Sequence, residues 1–309
     1  MAKKIRICTL VYVDESKTDG LPNNKSTDLA SSYFLQAFAL NRSLLANDLP
    51  SLTIYTNRID IGEKIHAANS SLPINFCQLI FNEWVPGKVG FYQAHYKIDL
   101  LKQVYDTLEE DEILLLLDTD ILCLKKFNTD VIGGITSAAY NISDQCFQTY
   151  GFERVRSDLN FLTDQELVNP AWYGGEFLIG DREFLKKLIH EINFVLPRYI
   201  KAWRDLHHHG DESIISSALN RLPANTFLDV TPLNVVNRFW TVRTKHTQRS
   251  IGYALESVFL HLPSEKGFLE SLAKGSDHIG RSTIAHLYFR SAFRSTMSKL
   301  KYMSGLKKG

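Results

Sequence analysis

Cysteine is scarce. Cys8, Cys77, Cys123 and Cys146 are the only four in 309 residues, and no two are spaced Cys-x-x-Cys. That spacing argues against a zinc site. Two of the four lie in apolar strand-like runs, so buried reduced thiols of a cytosolic protein are expected. Long apolar runs are also missing. Met1-Ala2-Lys3-Lys4-Ile5-Arg6 leads directly into a short strand, with no segment suited to a signal peptide or membrane anchor. Asn-x-Ser triplets such as Asn41-Arg42-Ser43 then carry no glycosylation meaning. Acidic residues are absent from the end. None follows Asp277, whereas Arg281, Arg290, Arg294, Lys299, Lys301, Lys307 and Lys308 do. The formal net charge of +1 therefore hides an acidic body and a basic tail. That asymmetry suits an anionic surface for the tail rather than a nucleic-acid-binding core.

What the chain does have is an aliphatic run that ends in acid. Ile113-Leu114-Leu115-Leu116-Leu117 runs into Asp118-Thr119-Asp120 and resumes with Ile121-Leu122. A continuous apolar run of this kind, after a helix-like stretch, predicts a strand buried on both faces of a largely parallel sheet. Two carboxylates at its end need a positive partner. Ligands of open α/β sheets bind beyond the carboxyl ends of the strands. Asp118 and Asp120 are therefore expected to hold a divalent cation, and the cation a phosphate. A turn whose two carboxylates face water is the bland alternative.

The rest of the chain alternates strands and helices, which predicts a right-handed, doubly wound α/β sheet. Residues 5–13 read as the first strand, ending near Tyr12 and Asp14, and 16–27 as a loop. Asp28 suits the cap of a helix reaching about Asn47. Strands follow at 52–56 and 74–81, then a break at Pro86-Gly87, a helix over about 92–108 and a strand over 136–141. The stretch 142–170 reads as an irregular acceptor-side loop or insertion. Paired Gly174-Gly175 before an apolar strand suggests a backbone that something approaches closely. Asp181 is a suitable N-cap for a helix over about 182–206. His207-His208-His209 cannot share one helix face, so they read as an exposed helix end rather than a metal site. Gly210-Asp211-Glu212-Ser213 opens the next helix. Phe289, Phe293, Met297 and Leu300, flanked by Arg290, Arg294 and Lys301, read as a basic amphipathic helix suited to a membrane surface.

Leu117-Asp118-Thr119-Asp120-Ile121-Leu122 resembles the metal-binding Asp-x-Asp of GT-A glycosyltransferases, most of all family 8, which includes bacterial surface-glycan galactosyl- and glucosyltransferases. The resemblance implies that Asp118 contacts the ribose or the metal, and that Asp120 ligates Mn²⁺ (or Mg²⁺) on a donor diphosphate. Tyr12 and Asp14 occupy the place of nucleotide contacts. Lys97, after Tyr96, stands where family 8 has a donor-contacting Arg. Gly174, Gly175 and Glu176 match a segment that lines the donor sugar. Asp211-Glu212-Ser213 is similar to Asp-Gln-Asp of family 8 and to Asp-Glu-Ser of family 6. There Glu212 would lie under the anomeric carbon and Asp211 would contact donor hydroxyls. Phe259-Leu260-His261, followed by Lys266, is similar to a C-terminal segment that supplies a third metal ligand, His261, and a diphosphate-binding lysine. Ser264 stands where that segment has Gly.

The resemblance implies a GT-A domain over 1–277 with a basic amphipathic tail over 278–309. It implies transfer of a hexose from a UDP-sugar to a glycan or lipid-linked glycan acceptor, with retention, by a cytoplasmic enzyme peripheral to the membrane. An inverting enzyme with Asp211 or Glu212 as base, a haloacid dehalogenase-like phosphohydrolase, and a non-catalytic nucleotide-sugar-binding protein are the alternatives.

Overall fold

The computed structural model describes residues 3–14, 29–82, 84, 89–242 and 246–274, with 283, 285–287, 289, 292 and 293 beyond them. The chain opens with β1 (Lys4–Val11), α1 (Leu29–Leu45), β2 (Thr53–Thr56), α2 (Ile59–Asn69) and β3 (Asn75–Gln78). A 3-10 turn, Tyr92–Tyr96, leads into α3 (Lys97–Thr107) and β4 (Glu112–Leu117). After Asp118-Thr119-Asp120 come β5 (Ile121–Cys123), β6 (Ala138–Asn141), α4 (Ser143–Tyr150), α5 (Phe152–Thr163) and β7 (Tyr173–Gly180). The remainder is α6 (Arg182–Ala202), α7 (Asp211–Arg221), β8 (Leu228–Asp229), β9 (Val236–Arg238), α8 (Ile251–Leu255), β10 (Phe259–His261) and α9 (Lys266–Lys274).

Seven strands form one mostly parallel sheet in the order β3-β2-β1-β4-β7-β6-β8. Only β7 runs against its neighbours, β4 and β6. All five aliphatic residues of β4, Ile113 to Leu117, are at most 1% exposed, as a strand covered on both faces requires. Their side chains divide with the period of two. Ile113, Leu115 and Leu117 enter a core with α1 and the second sheet, while Leu114 and Leu116 enter a core with α3, α6 and α7. The order of connection reverses between β1 and β4, so a crevice opens at their carboxyl ends.

The aliphatic run through residues 113–122 is not one strand. It breaks at Asp118, and Ile121–Cys123 joins a second sheet of order β5-β10-β9. In it His261 lies opposite Ile121, and Arg238 lies beside His261. This small sheet brings three distant segments to one edge of the crevice. The stretch 142–170 is likewise not an irregular loop: most of it is α4 and α5, with Val155, Leu159 and Leu162 buried at helical spacing. Nor is His207-His208-His209 an exposed helix end. His207 and His208 are mostly buried and each ring has its own partner: Asp158 for His207, the Gly210 N–H for His208, and the Leu206 carbonyl for His209. Asp181 does cap α6, accepting from the Phe184 N–H at 3.0 Å. The predicted cap Asp28, the loop 16–27, Pro86-Gly87 and most of the basic tail lie outside the described residues. Of the tail's apolar positions, Phe289 and Phe293 are described, and both are exposed. Among the described residues no helix is long and apolar enough to cross a membrane.

Candidate active site

A cavity of about 300 Å³ lies over the ends of β1 and β4. β1 ends by placing Tyr12 in its wall, stacked on Tyr96 at 4.6 Å between centroids. Asp14 is outside the lining and accepts from the Tyr92 hydroxyl at 2.6 Å. Where β4 ends, Asp118 and Asp120 turn into the cavity, and β10 brings His261 against them. One ligand atom from each of Asp118, Asp120 and His261 lies within 4.8 Å of the others. His261 Nε2 is 3.0 Å from Asp120 Oδ1, a separation that suits two donors on adjacent positions of one small cation. His261 Nδ1 lies 3.2 Å from Glu176 Oε1. That contact fixes the ring and leaves Nε2 for Asp120 or an ion, the carboxylate–imidazole arrangement of metal-ligating histidines.

Glu176 itself is not in the cavity wall, and neither is Gly174. Its side chain is fully buried beneath the cavity, where Arg238 Nε and Nη2 donate to its two oxygens at 2.7 and 2.6 Å. The same Arg238 Nη2 donates to Glu212 Oε1 at 2.7 Å, and Trp172 Nε1 to Glu212 Oε2 at 3.0 Å. One guanidinium thus joins the residue behind His261 to the residue at the start of α7. The paired glycines of β7 are explained by these carboxylates. A Cβ on Gly174 would meet Glu176 Oε2 at 2.0 Å, and one on Gly175 would meet Asp211 Oδ2 at 2.3 Å. What approaches this backbone is the protein's own acid.

Lys97 lies in the wall but is only 5% exposed. It donates to the Gly175 carbonyl at 2.9 Å and meets Asp118 Oδ1 at 2.7 Å and Asp211 Oδ2 at 3.0 Å. One hydrogen bond and two ion pairs therefore hold it inside the protein, tying α3 to β4, β7 and α7. Lys266, at the start of α9, reaches to 3.7 Å from Asp120 Oδ2 and lies over the Tyr33 ring.

Burial raises the cost of every charge here, so the partners decide the protonation states. Burial and the neighbouring Asp120, set against Lys97, leave the Asp118 carboxyl raised to about 6. Against the same burial, His261 and Lys266 hold Asp120 well below the usual carboxylate range. Burial opposes ionisation of Glu212 too, but Arg238 and His208 hold it down at about 2. His261 resists the desolvation that lowers it and is raised to about 9 by Asp120 and Glu176. Among the described residues, the carboxylates Asp118, Asp120, Glu176, Asp211 and Glu212 meet only three permanent cations, Lys97, Arg238 and Lys266. The surplus is negative: Lys97 is shared by Asp118 and Asp211, and Arg238 by Glu176 and Glu212. Two carboxylates and one imidazole form a donor set suited to Mn²⁺ or Mg²⁺. In the absence of an ion, the proton on His261 meets part of that charge.

No protein-family model and no curated protein matches the chain in sequence. Its fold is nevertheless shared by solved structures. The galactosyltransferase LgtC, in complex with donor and acceptor sugar analogs, superposes with a TM-score of 0.50 at 12% identity, over 87% of this chain and 95% of that one. The bifunctional glycosyltransferase WbbM, in its apo structure, superposes with a TM-score of 0.52 at 8% identity, over 93% of this chain and 52% of that one. This chain spans about half of WbbM. At these identities the likeness is one of architecture: the chain has the α/β fold of GT-A glycosyltransferases.

Two participants escaped the reading of the sequence. Arg238 is the centre of the ionic network, and Trp172 is a donor to Glu212. The one local signal for Arg238 is its setting, a cation between the apolar pairs Val235-Val236 and Phe239-Trp240.

Proposed function

We propose that this chain is a metal-dependent glycosyltransferase that moves a hexose, galactose or glucose, from a UDP-sugar to a glycan acceptor of a bacterial surface polysaccharide or lipopolysaccharide. The observation that carries the reading is the convergence of Asp118, Asp120 and His261 with Asp211 and Glu212 in one cavity at the strand ends of a glycosyltransferase fold. Tyr12 provides a stacking face for the uracil, and Asp14, behind it through Tyr92, fixes that end of the site. Asp118, Asp120 and His261 would hold Mn²⁺ or Mg²⁺, which when bound offsets charge on the leaving diphosphate. Lys266 adds a second positive charge there. Glu212, ionised, faces the carbon on which positive charge develops as the bond to the diphosphate oxygen breaks.

A carboxylate held near 2 by an arginine is a poor proton acceptor, which favours retention over an inverting mechanism with Glu212 as base. Lys97 and Glu176 serve as supports, one aligning Asp118 and Asp211, the other aligning His261. The basic tail would keep a cytoplasmic enzyme at the inner face of the membrane through anionic headgroups. No observation favours a phosphohydrolase.

The test is release of UDP from UDP-galactose and UDP-glucose with Mn²⁺, with Mg²⁺ and with EDTA. Release should require the ion, and Asp120→Asn should reduce it more than about 100-fold with folding intact. Release that persists in EDTA, or in that variant, contradicts the metal assignment.

A further inference from the structure

Of the four cysteines, Cys146 alone lies in the wall of the cavity. It sits on α4 and is 4% exposed. Its Sγ lies 3.6 Å from His207 Nε2. On the other side of that ring, His207 Nδ1 is 2.7 Å from Oδ2 of Asp158, on α5. The same oxygen accepts the His207 backbone N–H at 2.6 Å. A carboxylate oxygen that accepts one N–H here accepts the other too, so Nδ1 carries the hydrogen and Nε2 turns its lone pair to the thiol. The surroundings hold this row in place. The Trp172 and Tyr150 rings lie 4.5 and 4.9 Å from the His207 ring, and Arg154 Nε lies 3.5 Å from Asp158 Oδ1. Three separate segments thus set thiol, base and orienting carboxylate in succession from the cavity wall inward. That succession is how a weak nucleophile is activated.

Burial alone would leave this thiol inert. Desolvation, and then the charge of Glu212, push the Cys146 thiol up, so at rest it keeps its proton. It attacks only if a base takes that proton as the new bond forms, and His207 is placed to take it. The other three cysteines have no histidine partner among the described residues. Cys123 Sγ donates to the Lys125 carbonyl, Cys77 Sγ lies 3.6 Å from Gln103 Nε2, and Cys8 is packed inside the main sheet.

From the Cys146–His207–Asp158 row and its place in the cavity wall, we infer that Cys146 is a modification site. It is a nucleophile that His207 activates toward small conjugated carbonyl compounds entering the cavity. As the bond from Sγ to the β-carbon forms, the S–H proton passes to His207 Nε2. Asp158 offsets the positive charge then carried by the ring. The electron pair of the alkene moves to the α-carbon, which takes the proton back from the imidazolium. The product is a thioether and the imidazole is neutral again. Nothing leaves, and no oxidant is consumed. The inference goes beyond the nucleotide-sugar reading and does not depend on it.

The test is timed labelling of the folded full chain with limiting N-ethylmaleimide near neutral pH, read at each cysteine by peptide mass spectrometry. Cys77 is the internal reference. It is half-buried and more exposed than Cys146, so exposure alone ranks it first. Activation by His207 predicts the reverse order, with Cys146 labelled ahead of Cys77. His207→Asn keeps an N–H for Asp158 and removes the base at Nε2. Labelling of Cys146 should then slow about 100-fold, the lower end of what a positioned base contributes, while Cys77 keeps its rate. An unchanged Cys77 rate and unfolding midpoint show that the variant folds. If it does not fold, Asp158→Asn takes its place. That variant keeps an oxygen toward the ring and loses the charge that offsets the imidazolium, so it should slow Cys146 and not Cys77. Cys77 labelled ahead of Cys146 in the unaltered chain overturns the inference. So does a Cys146 rate in the folded variant equal to that of the unaltered chain.

Discussion

Arg238 carries more of this site than any residue named by motif. It answers Glu176, which is 1% exposed, and Glu212 at once. A buried ion pair gives little net stability when intact, but breaking it strands an uncompensated charge. Here the loss strands two. Arg238→Met should therefore cost about 3–5 kcal/mol of unfolding free energy, read by urea titration; a cost below about 1 kcal/mol would show that the guanidinium does not hold these carboxylates. Glu212 adds a dependence on pH. Its folded value near 2 lies below the ordinary 4.5, so its stabilising contribution is complete above about pH 4.5 and falls away as the pH drops toward 2. The stability lost in Glu212→Gln should accordingly be larger at pH 6 than at pH 3. An equal loss at both would mean that Glu212 does not titrate in that window.

The elements set which part of this could be read beforehand. β4 is local: five buried aliphatic residues and the acids that follow announce a central strand and its acidic end without any tertiary information. Asp211 and Glu212 were likewise legible as the opening of α7. The network between them was not, because it depends on register. Arg238 meets His261 only because β9 pairs with β10, and His261 meets Asp120 only because β10 pairs with β5. Strands of three residues leave almost no periodic signal. The misreading of 142–170 has a different origin. Val155, Leu159 and Leu162 do repeat at helical spacing, but Gly151 divides the stretch into two helices, and exposed Tyr150, Phe152 and Phe161 obscure the pattern. Gly174 and Gly175 gave a signal of close approach, and what a Cβ would meet there is the carboxylate of Glu176 or of Asp211. Gly175→Ala would press a Cβ against Asp211 and to 3.2 Å from Lys97 Nζ. It should destabilise the chain by about 1–3 kcal/mol, measured by urea unfolding, through displacement of that pair. An unaffected variant would mean that the Lys97–Asp211 contact can move freely.

At the scale of the whole molecule, the fold places a site with surplus negative charge where an α/β sheet offers a crevice. The order β2-β1-β4-β7 opens that crevice, the second sheet brings His261 and Arg238 to its edge, and α7 adds Asp211 and Glu212. The central claim is that Asp118, Asp120 and His261 form a cation site that exists to hold a nucleotide diphosphate. The most direct measurement is the thermal unfolding midpoint with UDP alone, Mn²⁺ alone, both together, and both with EDTA. A ligand bound only by the folded state, at about a hundred times its dissociation constant, adds roughly 2.7 kcal/mol. The account predicts a clear rise with UDP and Mn²⁺ together, cancelled by EDTA and absent in Asp120→Asn. A midpoint unchanged by UDP with Mn²⁺, and equally by GDP, CMP and dTDP, would contradict it.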